Sequence, residues 1–148
     1  AGQHLDTIAR QYLWQEGLDF DHGTGHGVGS YLNVHEGPHG IAKGYNNIPL
    51  REGMVVSNEP GYYRENEFGI RIENLIYVKI IKEIDGIKLL GFDNLTFVPI
   101  DKRLMDLSML TKLEKNWINN YHKEVLKKIG IYLEGSALEW LKNASKPI

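Results

Sequence analysis

The run "FGIRIENLIYVKII", residues 68–81, followed by "IDGI" at 84–87, constrains the fold more than any other stretch of the chain. Ile70, Ile72, Ile76 and Val78 alternate with polar positions, the spacing of an extended strand with one face turned to a core. Arg71 and Glu73 share the opposite face. Asp85-Gly86 is a pair favoured in a two-residue hairpin turn, so the strand is expected to turn back on a partner running from Lys88 to Phe92. Helical spacing appears on both sides of this hairpin, and the fold class is therefore α+β.

At the start, Leu5, Ile8, Ala9, Tyr12 and Leu13 follow the spacing of an amphipathic helix that Gly17 is placed to end. In "YLNVHEG", Leu32 and Val34 alternate with Asn33 and His35, which predicts a short strand with His35 on its polar face. The loop at 38–53 reads as irregular. "GMVVSNEPGYY" is β-rich and broken at Pro60-Gly61, and a further short strand is expected around "LTFVPI". Thr111 and Glu114 have capping-box spacing, and Leu113, Trp117, Tyr121 and Val125 form one stripe that runs to Gly130. A shorter helix is expected around Leu138 to Leu141.

Composition removes several function classes. With 17 basic and 19 acidic side chains the formal net charge is −2, which leaves no electrostatic footprint for nucleic acid or a membrane surface. Without cysteine there is no thiol nucleophile, disulfide framework or zinc–thiolate site, so histidines and carboxylates are left to carry strong chemistry. No apolar run has the length of a membrane span and no signal-peptide pattern opens the chain, which makes the cytoplasm the default location. The first residue is Ala1, so upstream residues are expected to be missing.

The stretch "DFDHGTGHGVGSYLNVHEG" gathers His22, His26 and His35 among glycines. Gly25 and Gly27 flank His26 and let the backbone approach another group closely. Glu59 follows an apolar strand directly, and Glu73 interrupts an alternating one, positions where a carboxylate is costly unless paired or metal-bound. One imidazole and two carboxylates from separate segments form a hard donor set suited to manganese, zinc or cobalt. A polar turn for His26, and a pair with Arg71 or a solvated edge for the glutamates, remain open alternatives. The glycines argue against a helix that would place His22 and His26 on one face. His22 and His35 read instead as donors facing a substrate or supporting the ligands, with plain surface exposure as the alternative. His4, His39 and His122 are expected to be structural or exposed, His122 as a solvated helix residue.

"HGTGHGVGSYLNVHEGP", followed by "EPGYY" and "FGIRIEN", closely resembles the metal-binding core of the aminopeptidase P family, the Xaa-Pro aminopeptidases. The resemblance extends through the opening "QHLDTIARQYLWQEGLDF" to the tail with "WINNYHKEVL", "ALEWL" and "KPI". It implies a pita-bread fold, shared with creatinase and methionine aminopeptidase. Residues 1–100 would be the C-terminal half of the catalytic domain and 101–148 its helical extension. It also implies a dinuclear site of two aspartates, one histidine and two glutamates, holding two divalent ions with Mn2+ first and Zn2+ or Co2+ as options. By motif the ligands here are His26, Glu59 and Glu73. The two aspartates and one substrate-binding histidine of the family would lie upstream of Ala1, which implies a fragment that is inactive alone.

By the same resemblance Glu59 serves as general base, His35 stabilises the scissile carbonyl or oxyanion, His22 lines the substrate site, and Arg71 supports a ligand carboxylate whose partner is expected to be gone. The implied substrates are peptides with proline second, and the intact protein is expected to be a cytoplasmic homodimer. Prolidase, a non-catalytic pita-bread peptide-binding module and a purely structural α+β domain are the competing readings. Retention of His26, Glu59 and Glu73 counts against the last two.

Overall fold

The Asp85-Gly86 turn forms as its residue types require, with φ of 51° and 78°, and it closes the central hairpin of the computed structural model, which describes residues 1–31 and 33–148. These fall into two units, 1–96 and 97–148.

The first unit opens with helix α1, Gly2–Gln15. Seven strands follow: β1 Gly25–His26, β2 Gly40–Ile41, β3 Val55–Asn58, β4 Gly61–Arg64, β5 Phe68–Arg71, β6 Asn74–Ile84 and β7 Ile87–Asn94. All pairings are antiparallel. β6 lies between β3 and β7, while β1–β2 and β4–β5 form separate pairs. A bridge from Gly27 to Val56 ties the end of β1 to β3. Ile41, Val56 and Ile76 form the core, and Leu5 of α1 packs on it.

The alternating run at 68–81 is two strands, not one. β5 pairs with β4 and β6 with β3, and the chain changes sheets at Ile72-Glu73. Alternation therefore has a different meaning on each side of the break. Ile76 and Val78 are buried at 7% and 1%, whereas Ile70 and Ile72 are 38% and 49% exposed.

Helix α1 also departs from its pattern. Its inward face carries Gly2, Asp6 and Arg10, while Ile8 and Tyr12 of the apolar stripe are exposed. A charged face can be buried when its members satisfy each other, and Arg10 Nε donates to Asp6 Oδ2 at 2.7 Å. Gly17 stands just beyond the helix with φ 69°, a conformation glycine takes without a Cβ penalty.

Two expected strands do not form among the described residues. Leu32 lies outside them; around it, Gly29 N–H donates to the Asn33 carbonyl and Glu36 N–H to the Gly27 carbonyl. Those bonds bring residues 27–29 and 33–36 back against each other, and His35 is exposed. Residues 95–100 are irregular as well. There Tyr121 Oη bonds both the N–H and the carbonyl of Val98, and His122 takes the Ile100 N–H, so side chains replace a strand partner.

In the second unit, helix α2 spans Lys112–Ile129 and opens with the expected Thr111–Glu114 capping box. Helix α3 spans Gly135–Ala144. Tyr121, Val125 and Leu141 form the core with Phe97 and Ile100 against them. Only part of the predicted stripe is buried, since Leu113 and Trp117 are 80% and 53% exposed. His122, expected to be solvated, is fully buried, with Nε2 accepting the Ile100 N–H at 3.0 Å. Burial, with help from the charge of Lys102, holds its pKa below the ordinary imidazole value.

A lowered folded-state pKa means that the unfolded chain binds this proton more readily. The contribution of His122 is thus complete above the unfolded value of about 6.5 and is lost as pH falls from there towards the folded value, with a slope of at most about 1.4 kcal/mol per pH unit. Thermal unfolding followed from about pH 7.5 to about pH 5.5 is expected to show the loss. His122→Gln, whose amide oxygen can take the Ile100 N–H, should flatten the slope; an unchanged slope would remove His122 as its source.

Candidate functional site

His26 reaches the site from β1, held by both of its neighbours. A Cβ on Gly25 would lie 2.0 Å from the Ser57 carbonyl oxygen, and one on Gly27 would lie 2.0 Å from that of Glu36. The histidine thus sits in a strand pressed between backbones that only glycine admits. Its own N–H donates to Ser57 Oγ at 2.9 Å. Its Nδ1 lies 2.9 Å from the Gly27 carbonyl, which can only accept, so Nδ1 carries a proton.

Nε2 is thereby turned towards Glu59 Oε1 at 3.0 Å. Glu59 is buried at the end of β3, its N–H donating to the Thr24 carbonyl at 2.7 Å. Ser57 Oγ donates to Oε1 at 3.0 Å and Arg71 Nη1 to Oε2 at 2.9 Å. A neutral imidazole lone pair and a carboxylate oxygen repel at this distance unless a positive centre, proton or metal ion, lies between them.

This contact also provides a test for a metal. Two donors each about 2.1 Å from one ion, at a right angle, lie about 3.0 Å apart, and imidazole nitrogen with carboxylate oxygen suits a divalent ion. The pair therefore fits as part of a metal site. The cage is not closed: among the described residues no three His, Asp or Glu side chains converge closely enough to hold an ion. Glu73 stands apart from the pair, with Oε2 3.8 Å from Arg71 Nη1. It joins His26 in lining a cavity of about 390 Å³ with Asn33, Val28, Val34 and Leu75.

The remaining expected residues fall around this centre. The His35 ring lies 4.1 Å from that of His26, tilted by 44°. Arg71 has not lost its partner, because Glu59 fills that place. His22 is separate: Nδ1 donates to the Gly23 carbonyl at 2.8 Å, and Nε2 accepts from Tyr63 Oη at 2.7 Å. Tyr63 Oη also accepts from Arg71 Nε at 2.9 Å, so His22, Tyr63, Arg71, Glu59 and His26 form one chain of contacts. The hydrogen bond to Tyr63, and the charges of Glu59 and Glu73, raise the Arg71 pKa and fix it as a cation.

Tyr63 and Ser57 belong to this network and were not singled out from the sequence. Tyr63 stands within the quoted "EPGYY", two residues beyond Gly61, and its hydroxyl was the available signal. Ser57, within "VVSNEPG", carries no pattern that marks it.

Residues 1–79 match the model of metallopeptidase family M24, and residues 88–148 that of the C-terminal region of peptidase M24. Among curated relatives, a probable Xaa-Pro aminopeptidase P of Coprinopsis cinerea is 51% identical, matched over 99% of this chain and 25% of its own length. Aminopeptidase P2 of Arabidopsis thaliana is 51% identical over 97% of this chain and 21% of its own. The chain thus spans about a quarter of the length of such relatives. A solved X-prolyl aminopeptidase from Caenorhabditis elegans, described as a cytosolic enzyme with a di-nuclear active site, superposes with a TM-score of 0.91 at 45% identity, over 99% of this chain and 25% of that one. That likeness bears out the pita-bread α+β class with a helical C-terminal tail.

Gly25→Ala is expected to cost about 1–3 kcal/mol, since the Ser57 carbonyl is backbone and cannot swing away. Gly44→Ala, where an added Cβ meets nothing within 4 Å, should leave stability unchanged. Thermal melts of the two variants decide; equal melting temperatures would mean that the close approach at Gly25 is not limiting.

Proposed function

The chain belongs to metallopeptidase family M24, and from that premise we propose that it supplies part of the active site of an aminopeptidase that releases the first residue from peptides with proline in second position. The observation that carries this reading is the 3.0 Å contact between His26 Nε2 and Glu59 Oε1, a donor pair set for a cation, in a chain 51% identical to proteins named Xaa-Pro aminopeptidase P and aminopeptidase P2.

In this proposal His26, Glu59 and Glu73 hold divalent metal, and the remaining ligands come from residues outside 1–148. Divalent ions held there would acidify a water molecule and offset negative charge on the tetrahedral oxygen. The hard donor set favours Mn2+, with Zn2+ and Co2+ as substitutes. Glu59 accepts the proton of the attacking water and passes it to the leaving nitrogen. Arg71, bonded to the other oxygen of Glu59, fixes the carboxylate plane and leaves Oε1 turned towards His26. His35, whose ring is tilted against that of His26, reaches the scissile carbonyl oxygen. His22 lines the side of the site marked by Tyr63 and steadies the substrate. The leaving nitrogen is that of proline, a tertiary amide without N–H, so recognition has to come from shape and from the carbonyl on either side. The intact protein would act as a cytoplasmic homodimer; no helix among the described residues is long and apolar enough to cross a membrane.

Metal binding, turnover and metal content test the proposal. Residues 1–148 alone should bind manganese weakly in titration calorimetry, because three donors cannot offset the dehydration of two ions; a tight two-ion stoichiometry would contradict the shared cage. In the full-length protein, Glu59→Gln should lower turnover of an Xaa-Pro tripeptide by about 10²–10⁴-fold, with metal loss adding to the effect. His35→Ala should cost less, on the order of 10²–10³-fold. Metal content measured for each variant separates proton transfer from binding. Near-normal turnover of Glu59→Gln with full occupancy would rule out the base assignment, and cleavage of Xaa-Pro dipeptides alone would make the protein a prolidase.

A further inference from the structure

The inward face of α1 carries charge where hydrocarbon was available. Asp6 and Arg10 are each 1% exposed, while Ile8 and Tyr12 of the same helix are 60% and 64% exposed. Apolar side chains often replace a buried ion pair without loss of stability, so stability alone does not account for this arrangement. The groups that Arg10 touches do. Its Nε donates to Asp6 Oδ2 at 2.7 Å, Nη1 to Asp19 Oδ1 at 2.7 Å and to the Phe20 carbonyl, and Nη2 to the His22 carbonyl at 2.7 Å.

The guanidinium also lies 3.7 Å from the centre of the Phe20 ring, and that ring is 4.9 Å from the His22 imidazole. The second oxygen of Asp6 accepts from Thr24 Oγ1 at 2.7 Å, and the Thr24 carbonyl accepts the Glu59 N–H at 2.7 Å. Burial works to raise the Asp19 carboxyl, but hydrogen bonds from Lys43, Trp14 and Arg10 outweigh it and keep Asp19 ionised and bound to the guanidinium.

The geometry points to the Asp6–Arg10 pair as a positioning device for His22. Asp6 holds the planar fork on the helix, the fork draws residues 19–22 around itself, and the Phe20 ring packs on both the guanidinium and the imidazole. The His22 ring can then settle with Nδ1 on the Gly23 carbonyl and Nε2 on Tyr63, which selects one tautomer. A lysine at position 10 would keep the charge opposite Asp6 but could not span two carbonyls and a carboxylate at once. This inference rests on the reading of His22 as a substrate-lining residue and deepens it.

The test is Arg10→Lys in the full-length protein with its metal bound. The KM for an Xaa-Pro tripeptide should rise about 10–100-fold, with kcat within about threefold of wild type and metal content unchanged. Long-range ¹⁵N correlation of the His22 ring should change from a single Nδ1–H tautomer to a mixture. A merely structural role would lower the active fraction, hence kcat, and leave KM and the tautomer of folded molecules as they were; that result overturns the proposal, as does a variant identical to wild type. Should the wild type leave the tripeptide uncut while the tautomer still becomes mixed in the variant, the peptidase reading falls and the positioning of His22 stands. Should Arg10→Lys fail to fold, Phe20→Leu takes its place, since it leaves the Arg10 hydrogen bonds intact and removes the ring beside the imidazole. The same rise in KM and the same mixed tautomer are expected, and their absence overturns the proposal.

Discussion

A carboxylate that is 7% exposed has to be matched by polar partners on every side, and the first unit is arranged around meeting that demand for Glu59. β3 brings Ser57 to one oxygen and β5 brings Arg71 to the other, while β1 brings His26 to the first across a gap that takes a proton or a metal ion. The backbone N–H of Glu59 is taken by Thr24, whose hydroxyl is fixed by Asp6 of α1. Three strands and a helix are therefore set by the cost of burying one charge. The apolar cluster of Ile41, Val56 and Ile76 is small, which leaves polar satisfaction a large share in deciding where each element lies.

The change of sheets at Ile72-Glu73 bears directly on that arrangement. Arg71 ends β5 and Glu73 falls between β5 and β6, so the two side chains are not fixed by the pleat of a single strand. Arg71 can reach back to Glu59 at 2.9 Å and still stand 3.8 Å from Glu73. A continuous strand would have carried both on one face, in step. The break lets the guanidinium serve the buried carboxylate first.

What could be read from the sequence was local. Asp85-Gly86 announces its turn through positive φ, Thr111 and Glu114 announce a helix start, and Gly17 announces a helix end, each within a few residues. The inward face of α1, the irregular path at 95–100 and the burial of His122 could not be read in this way. In each case a polar group satisfied by a distant partner overrides the apolar pattern: Thr24 for Asp6, Tyr121 for Val98, Ile100 for His122. The site shows the same division. His26, Glu59 and Arg71 stood out because charge or imidazole sat in strand or glycine-rich context. Tyr63 and Ser57 did not, because a hydroxyl in a strand is unremarkable until its partner across the fold is known.

The glycines beside His26 have a different status from the histidine itself. Gly25 and Gly27 are required by the distance between backbones, whatever the site does, while the imidazole is required by what it faces, the Glu59 carboxylate. On the proposed metal role, a relative that gave up that role could exchange the histidine and would still have to keep both neighbours to close the strand against Ser57 and Glu36. The glycine pair would then mark the path of the backbone and the histidine between them the proposed role, and the two can part company.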